Sequence, residues 1–237
     1  MTEYIRRGIK IALSTGEDCY MNFLNLKTND NFSTYWDEFY QGKSVGITPT
    51  SPSQFAAFCL SEMFERNISF VHEIGCGNGR DTLFFLRYGI NVSAVDSSSS
   101  AIHATKLLCG GSKNFSYHRF DAIEYLNKIE RKTSRNVAFY ARFFLHALNE
   151  NKTRLFLRSV SKSMVSGDVI FLEYRTKKDE KLTKITPKHY RNYLDPAIVI
   201  NEFDECGMRM DFHAEALGFA KLRDDNAFTC RQIFIKT

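Results

Sequence analysis

The chain has 237 residues, 43% hydrophobic and 25% charged, with a formal net charge of +5. That length carries a sizeable core without staples, and the mild positive excess permits an anionic small molecule without demanding nucleic acid. No stretch approaches the roughly 18 apolar residues of a membrane helix. Six cysteines without CxxC pairs or zinc-like His spacing, behind no apolar signal core, lead us to expect a soluble, cytoplasmic protein with free thiols and no metal.

Residues 1–33 carry weak patterns and are expected to be an N-terminal extension of unassigned role. The domain is expected over 34–237, opened by a helical cap at 34–66 that breaks at Gly46–Pro52. Ser53 is placed to cap a helix whose Phe55, Phe58, Leu60 and Phe64 suit a buried stripe. From Ser69 the pattern alternates. Strands are expected at 69–74, 92–95, 115–120, 137–140 and 168–173, with helices at 80–88, 99–108, 122–129 and 150–165 between them. Gly89 and Gly167 supply stops. Residues 187–194 and 196–206 are then expected to be helical, followed by strands at 209–215 and 231–235. Repeated βα units predict an α/β fold, a parallel sheet with helices on both faces. Two closing strands without a helix between them add an antiparallel hairpin.

The first strand runs into Glu73-Ile74-Gly75-Cys76-Gly77-Asn78-Gly79. Glycines between a strand and a helix let a ligand approach the backbone. The dinucleotide fingerprint is G-x-G-x-x-G, and this loop is one residue too short for it. An acidic Glu73 before the first glycine suits an ammonium-bearing ligand better than a pyrophosphate. The second strand ends at Asp96, where a ribose diol would lie. The third ends at Phe120-Asp121-Ala122, a polar tip suited to an adenine amine. All three tips share the carboxyl edge, where open α/β sheets bind ligands.

Val71–Asp96 resembles the first two motifs of class I S-adenosylmethionine-dependent methyltransferases, and residues 53–237 resemble their seven-stranded Rossmann-like sheet. The resemblance implies S-adenosyl-L-methionine as cofactor. It sets Gly75, Gly77 and Gly79 beside the methionine part, with Glu73 holding that end. Asp96 falls to the ribose and Asp121 lies near the adenine, with their neighbours Ser97 and Ala122 also in the cofactor site. Tyr35–Tyr40 and Pro52–Phe55 resemble the N-terminal helices that close over the cofactor in small-molecule members. Trp36, Tyr40 and Gln54 are therefore lid candidates, with core packing as the alternative.

The acceptor is expected at the ends of the fourth and fifth strands. The segment Tyr140–His146 holds neither Asn-Pro-Pro-Tyr nor Pro-Cys, which argues against adenine-N6 and covalent cytosine methylation. His146 is a candidate general base, or a packed loop residue. Arg142 is a candidate anion clamp, or a partner of Glu73 or Glu173. Tyr40, Tyr174, Arg175, His189, Tyr190 and Arg191 are acceptor candidates. The two arginines among them either grip a phosphate or carboxylate or form surface ion pairs. These paired aromatic and arginine candidates, with a looser likeness of Tyr174-Arg175 and His189-Tyr190-Arg191 to methyltransferases of surface-polysaccharide pathways, lead us to expect O-methylation of a small-molecule or glycan-type acceptor, such as a sugar, sugar nucleotide or phosphorylated metabolite. An RNA or protein methyltransferase and a non-catalytic cofactor-binding protein are the rivals, and the glycine spacing disfavours a nicotinamide oxidoreductase.

Overall fold

The computed structural model describes residues 31–41, 49–130, 135–184 and 189–237. The expected extension up to residue 30, Cys19, positions 46–48 of the expected break and the Pro187 helix start lie outside these residues.

Helix α1 (Asn31–Tyr40) precedes α2 (Gln54–Glu65), whose N-cap is Ser53: its hydroxyl accepts from the Ala56 amide at 3.0 Å. The alternating part follows as β1 (Phe70–Ile74), α3 (Arg80–Arg87), β2 (Asn91–Asp96), α4 (Ser99–Cys109), β3 (Phe115–Arg119), α5 (Ala122–Lys128), β4 (Ala138–Arg142), α6 (Glu150–Ser163) and β5 (Val169–Arg175). The chain closes with α7 (Pro196–Glu205), β6 (Met208–Leu222) and β7 (Asp225–Lys236).

The seven strands form one sheet in the order β3-β2-β1-β4-β5-β7-β6. β1 to β5 run parallel, and β7 pairs antiparallel with both β5 and β6. This is the Rossmann-like, mostly parallel seven-stranded sheet with an antiparallel C-terminal hairpin that the sequence predicts. Its order reverses at β1, which puts the crevice for a ligand beside the β1 loop.

Strand periodicity divides the core between two faces. Val71, Ala138, Tyr140, Val169 and Phe171 pack with Phe55, Met63 and Phe85, under α2 and α3. Ile74, Phe139, Ala141, Ile170 and Leu172 pack with Leu126, Phe156, Leu157 and Phe203, under α5, α6 and α7. Every residue of β5 is buried, the pattern of a parallel strand covered on both sides.

Three expectations change. Residues 189–193 are irregular rather than helical. Their backbone bonds leave the segment: the Asn192 amide donates to the His146 carbonyl at 2.8 Å, and Leu194 bridges Thr176. Asp195, with Pro196 at the first helical position, starts α7 instead. The closing strands are also far longer than expected, joined by a tight turn at Arg223-Asp224. Finally, β4 and β5 each run two residues further, to Arg142 and Arg175.

Candidate active site

The loop after β1 is pinned to β2. The Gly75 and Cys76 amides both donate to the Val95 carbonyl, at 2.8 and 3.0 Å. Gly77 and Gly79 have φ of +58° and +79°, in the left-handed region that favours glycine. A Cβ on Gly79 would stand 2.9 Å from the Thr105 backbone, and one on Gly77 would collide with the Tyr40 hydroxyl. Glycine is therefore required at both, and the loop forms a cradle that side chains would fill.

Around this cradle stand the acidic residues. Asp96 Oδ2 accepts from the Gly77 amide at 3.0 Å and Oδ1 from the Ser98 amide at 2.9 Å. Burial raises its carboxyl above the ordinary value. Each oxygen retains a lone pair for another donor. Glu73 points under the loop, where it accepts from the Thr82 hydroxyl, and burial followed by Asp81 pushes its carboxyl well up. It braces the loop against α3. Ser97 is exposed, while Ser98 is the buried cap of α4. Asp121 caps α5 through Oδ1, accepting from the Ile123 and Glu124 amides. Ala122 is buried beside it.

Helix α1 lies over this edge. Asp37 Oδ1 accepts from the Ser98 hydroxyl at 2.6 Å, the Ser99 hydroxyl at 3.3 Å and the Ser100 amide at 3.2 Å. An anion is thus docked on the N-terminus of α4, where the helix dipole favours it. Trp36 stacks on Tyr40, whose hydroxyl rests against Gly77. At the other end Tyr35 stacks on His189 at 4.5 Å and hydrogen-bonds its Nδ1 at 2.9 Å. The lid candidates Trp36 and Tyr40 accordingly bridge the glycine loop to the 189–193 segment. Gln54 faces the β6–β7 hairpin, within reach of the Gly218 and Phe219 carbonyls.

At the ends of β4 and β5 the candidates separate. Arg142 Nε donates to Glu173 Oε1 at 2.8 Å. Burial would lower its guanidinium, but Glu173 holds it raised. The pairing chosen is therefore with Glu173, not Glu73. Phe143 has a φ of +51°, which costs a non-glycine residue about 1–2 kcal/mol, and its ring lies beneath the Arg142 and Arg175 guanidiniums. His146 follows, buried, with its Nδ1 unpartnered among the described residues. Burial, then the charge of Arg175, holds its imidazole well below 6.5, so it is neutral at pH 7, and the surrounding cations disfavour its protonated form.

Two acceptor candidates are corrected. Arg175 is neither an anion clamp nor a surface ion pair: Nη1 donates to Asp179 and Nη2 to Asp225, both at 2.7 Å, and all three are buried. Tyr174 is fully buried in the core, its hydroxyl donating to Gln232 at 2.7 Å. Both belong to the strand rather than to a loop beyond it. His189 and Arg191 remain near His146, and both act electrostatically on it. Tyr190 is exposed.

Sequence reasoning passed over Arg80, Asp81 and Asp37. Asp81 accepts from the Ser53 amide and hydroxyl and from the Tyr140 hydroxyl, tying α2, α3 and β4 together behind the loop. Their signal was position alone: two charges directly after the third glycine.

No protein-family model and no curated protein matches the sequence. Solved structures do match in fold. The chain is similar to the CcbJ methyltransferase of Streptomyces caelestis, with a TM-score of 0.66 and 13% identity over 87% of this chain and 99% of that one. It is also similar to an S-adenosylmethionine-dependent methyltransferase of Anabaena variabilis, with a TM-score of 0.64 and 17% identity over 86% and 95%. The N-methyltransferase NodS of Bradyrhizobium japonicum, crystallised with S-adenosyl-L-homocysteine, gives 0.61 and 12% over 87% and 99%.

Proposed function

We propose that this chain, which has the class I methyltransferase fold, is an S-adenosyl-L-methionine-dependent methyltransferase acting on a small polar acceptor. The observation that carries the reading is the glycine cradle, held by its own amide to Asp96 at the tip of the neighbouring strand. In this reading Gly75, Gly77 and Gly79 take the methionine part, Asp96 the ribose and Asp121-Ala122 the adenine. Ser97 flanks the ribose, and Glu73 supports the loop from below.

The cofactor supplies an electrophilic methyl group on a sulfonium. The chain's share is to align the acceptor and exclude water, since in-line displacement depends on orientation. α1 lays Trp36 and Tyr40 over the cradle as the lid. The acceptor enters beside Phe143–His146 and the 189–193 segment. There His146 is the candidate base: its buried Nδ1 has no partner among the described residues, and removal of a hydroxyl proton is the role a base has in O-methylation. His189, Tyr190 and Arg191 line the entry, and Arg191 is the remaining candidate for an anionic group such as a phosphate. The N-methyltransferase among the similar folds keeps an amine acceptor as the second reading.

Nucleic acid is not the proposed partner, because the sequence holds no contiguous basic cluster with aromatic platforms. Among the described residues no helix is long and apolar enough to cross a membrane. All five described cysteines are free, which fits the cytoplasm. Calorimetry with S-adenosylhomocysteine tests the cofactor: binding near one to one supports it, and no binding to the folded protein overturns it. Mass spectrometry of copurified ligands then addresses the acceptor.

A further inference from the structure

Arg80 opens α3 directly behind Gly79, and its side chain is only 15% exposed. Its described contacts are few for a guanidinium with five N–H donors. Nη1 donates to the Ser51 carbonyl at 3.2 Å, and Nε stands 3.9 Å from Asp81 Oδ1. Asp81 is already engaged by Ser53 and Tyr140.

A second guanidinium stands at the same edge. The β1–β4 register sets Ala141 opposite Ile74, which brings Arg142 beside Gly75. Arg142 shares Glu173 with a third arginine, Arg231, whose Nε donates to Glu173 Oε2 at 2.7 Å. Three guanidiniums thus stand with three carboxylates, Asp81, Glu173 and Glu73 beneath the loop, and burial pushes the Glu73 carboxyl well up, toward its protonated form. The neighbouring Asp96 is bonded to the Gly77 and Ser98 amides on the β2 side. Burial, then the charge of Arg142, holds the Arg80 guanidinium below its ordinary value. At this corner Arg80 has spare donors beside a second guanidinium, an arrangement that suits an anion.

Resting on the cofactor reading above, we propose that Arg80 binds the α-carboxylate of the cofactor's methionine moiety, with Arg142 and the Tyr40 hydroxyl as its neighbours. The carboxylate is the one anionic group of that molecule, and the methionine part must lie along the glycines that Arg80 follows. A planar fork of N–H donors matches a carboxylate edge-on. Arg142, neutralised by Glu173, adds field rather than the principal bond. The corner therefore recognises the amino-acid end of the cofactor, and the acceptor meets its cationic residues elsewhere, near His146.

The test uses the full chain, calorimetry, and two probes: S-adenosylhomocysteine, and S-adenosyl-3-thiopropylamine, which keeps the amine and lacks the carboxylate. Wild type should prefer the first by about tenfold or more, the scale of one charge-assisted hydrogen bond. Arg80→Gln should lose that factor for S-adenosylhomocysteine and lose nothing for the amine. Arg80→Lys should keep part of the preference, because the charge stays and the fork goes. Equal losses for both probes would make Arg80 a structural residue and overturn the proposal, as would an unchanged affinity for S-adenosylhomocysteine. If wild type binds the amine but shows no preference, only the Arg80 assignment fails. If it binds neither probe, the cofactor reading fails with it.

Discussion

Replacing Arg175 by glutamine separates two ideas about the end of β5. If the arginine gripped an acceptor, its loss would raise KM and leave the fold alone. The structure predicts the reverse. Arg175 is buried between Asp179 and Asp225, and the substitution withdraws a cation from two buried carboxylates. Breaking a buried pair by removing one partner costs roughly 3–5 kcal/mol. Asp179 keeps the Lys184 ammonium at 3.1 Å and the Phe228 amide at 2.8 Å, so the low end, about 3 kcal/mol, is expected. For a chain of this size each kcal/mol moves Tm by roughly 2–4 °C, which gives a fall of roughly 6–12 °C. Thermal unfolding followed by circular dichroism measures it, and calorimetry with S-adenosylhomocysteine on the folded variant should give wild-type affinity. A Tm within 2 °C of wild type, by about the same conversion, would refute the buried pairing.

Three further outcomes follow from the site. Gly77→Ala places a methyl against the Tyr40 hydroxyl at a left-handed φ, so S-adenosylhomocysteine binding should fall sharply; adding Tyr40→Phe should recover part of it, and no recovery would remove the steric cause. Asp96→Asn should weaken S-adenosylhomocysteine by about 1.5–3 kcal/mol through loss of a charged acceptor, whereas a 2′,3′-dideoxy analogue should bind both forms alike. His146 is depressed well below 6.5 in the folded protein, so just below pH 6.5 the unfolded chain binds the extra proton. Stability should therefore fall as pH drops through that window. His146→Gln should flatten this slope and lower kcat with cofactor affinity unchanged; an unaltered kcat would exclude the base.

What could be read in the sequence was what short windows contain. The glycine spacing, the strand before it and the acidic tip of β2 lie within residues 70–96, and the βα alternation is itself a local pattern. The acceptor side depended on contacts made far along the chain. β5 was expected to end at Glu173, but its last two residues pair with Thr229 and Cys230 of β7. That pairing turns Tyr174 into core and directs Arg175 to Asp225. The segment of His189-Tyr190-Arg191 was misread as helix because the amides that follow, Asn192 and Leu194, donate to the His146 and Arg175 carbonyls instead of within the segment. Arg80 and Asp81 look like ordinary first-turn charges until Ser53, Tyr140 and Arg142 are brought around them. Asp37 had no local cue at all, because its partners are the serines at the start of α4.

The place of β7 in the sheet also governs how the chain can emerge from a ribosome. β7 inserts between β5 and β6, yet it is translated after both. Synthesis at 5–20 residues per second leaves β5 waiting about 3–12 s for a partner roughly 60 residues downstream. During that interval a strand buried along its whole length in the finished protein has an unpaired edge, the kind of edge that recruits other chains. Pulse-labelled nascent chains arrested between residues 180 and 220 should therefore associate with chaperones more strongly than chains arrested before β5 is made.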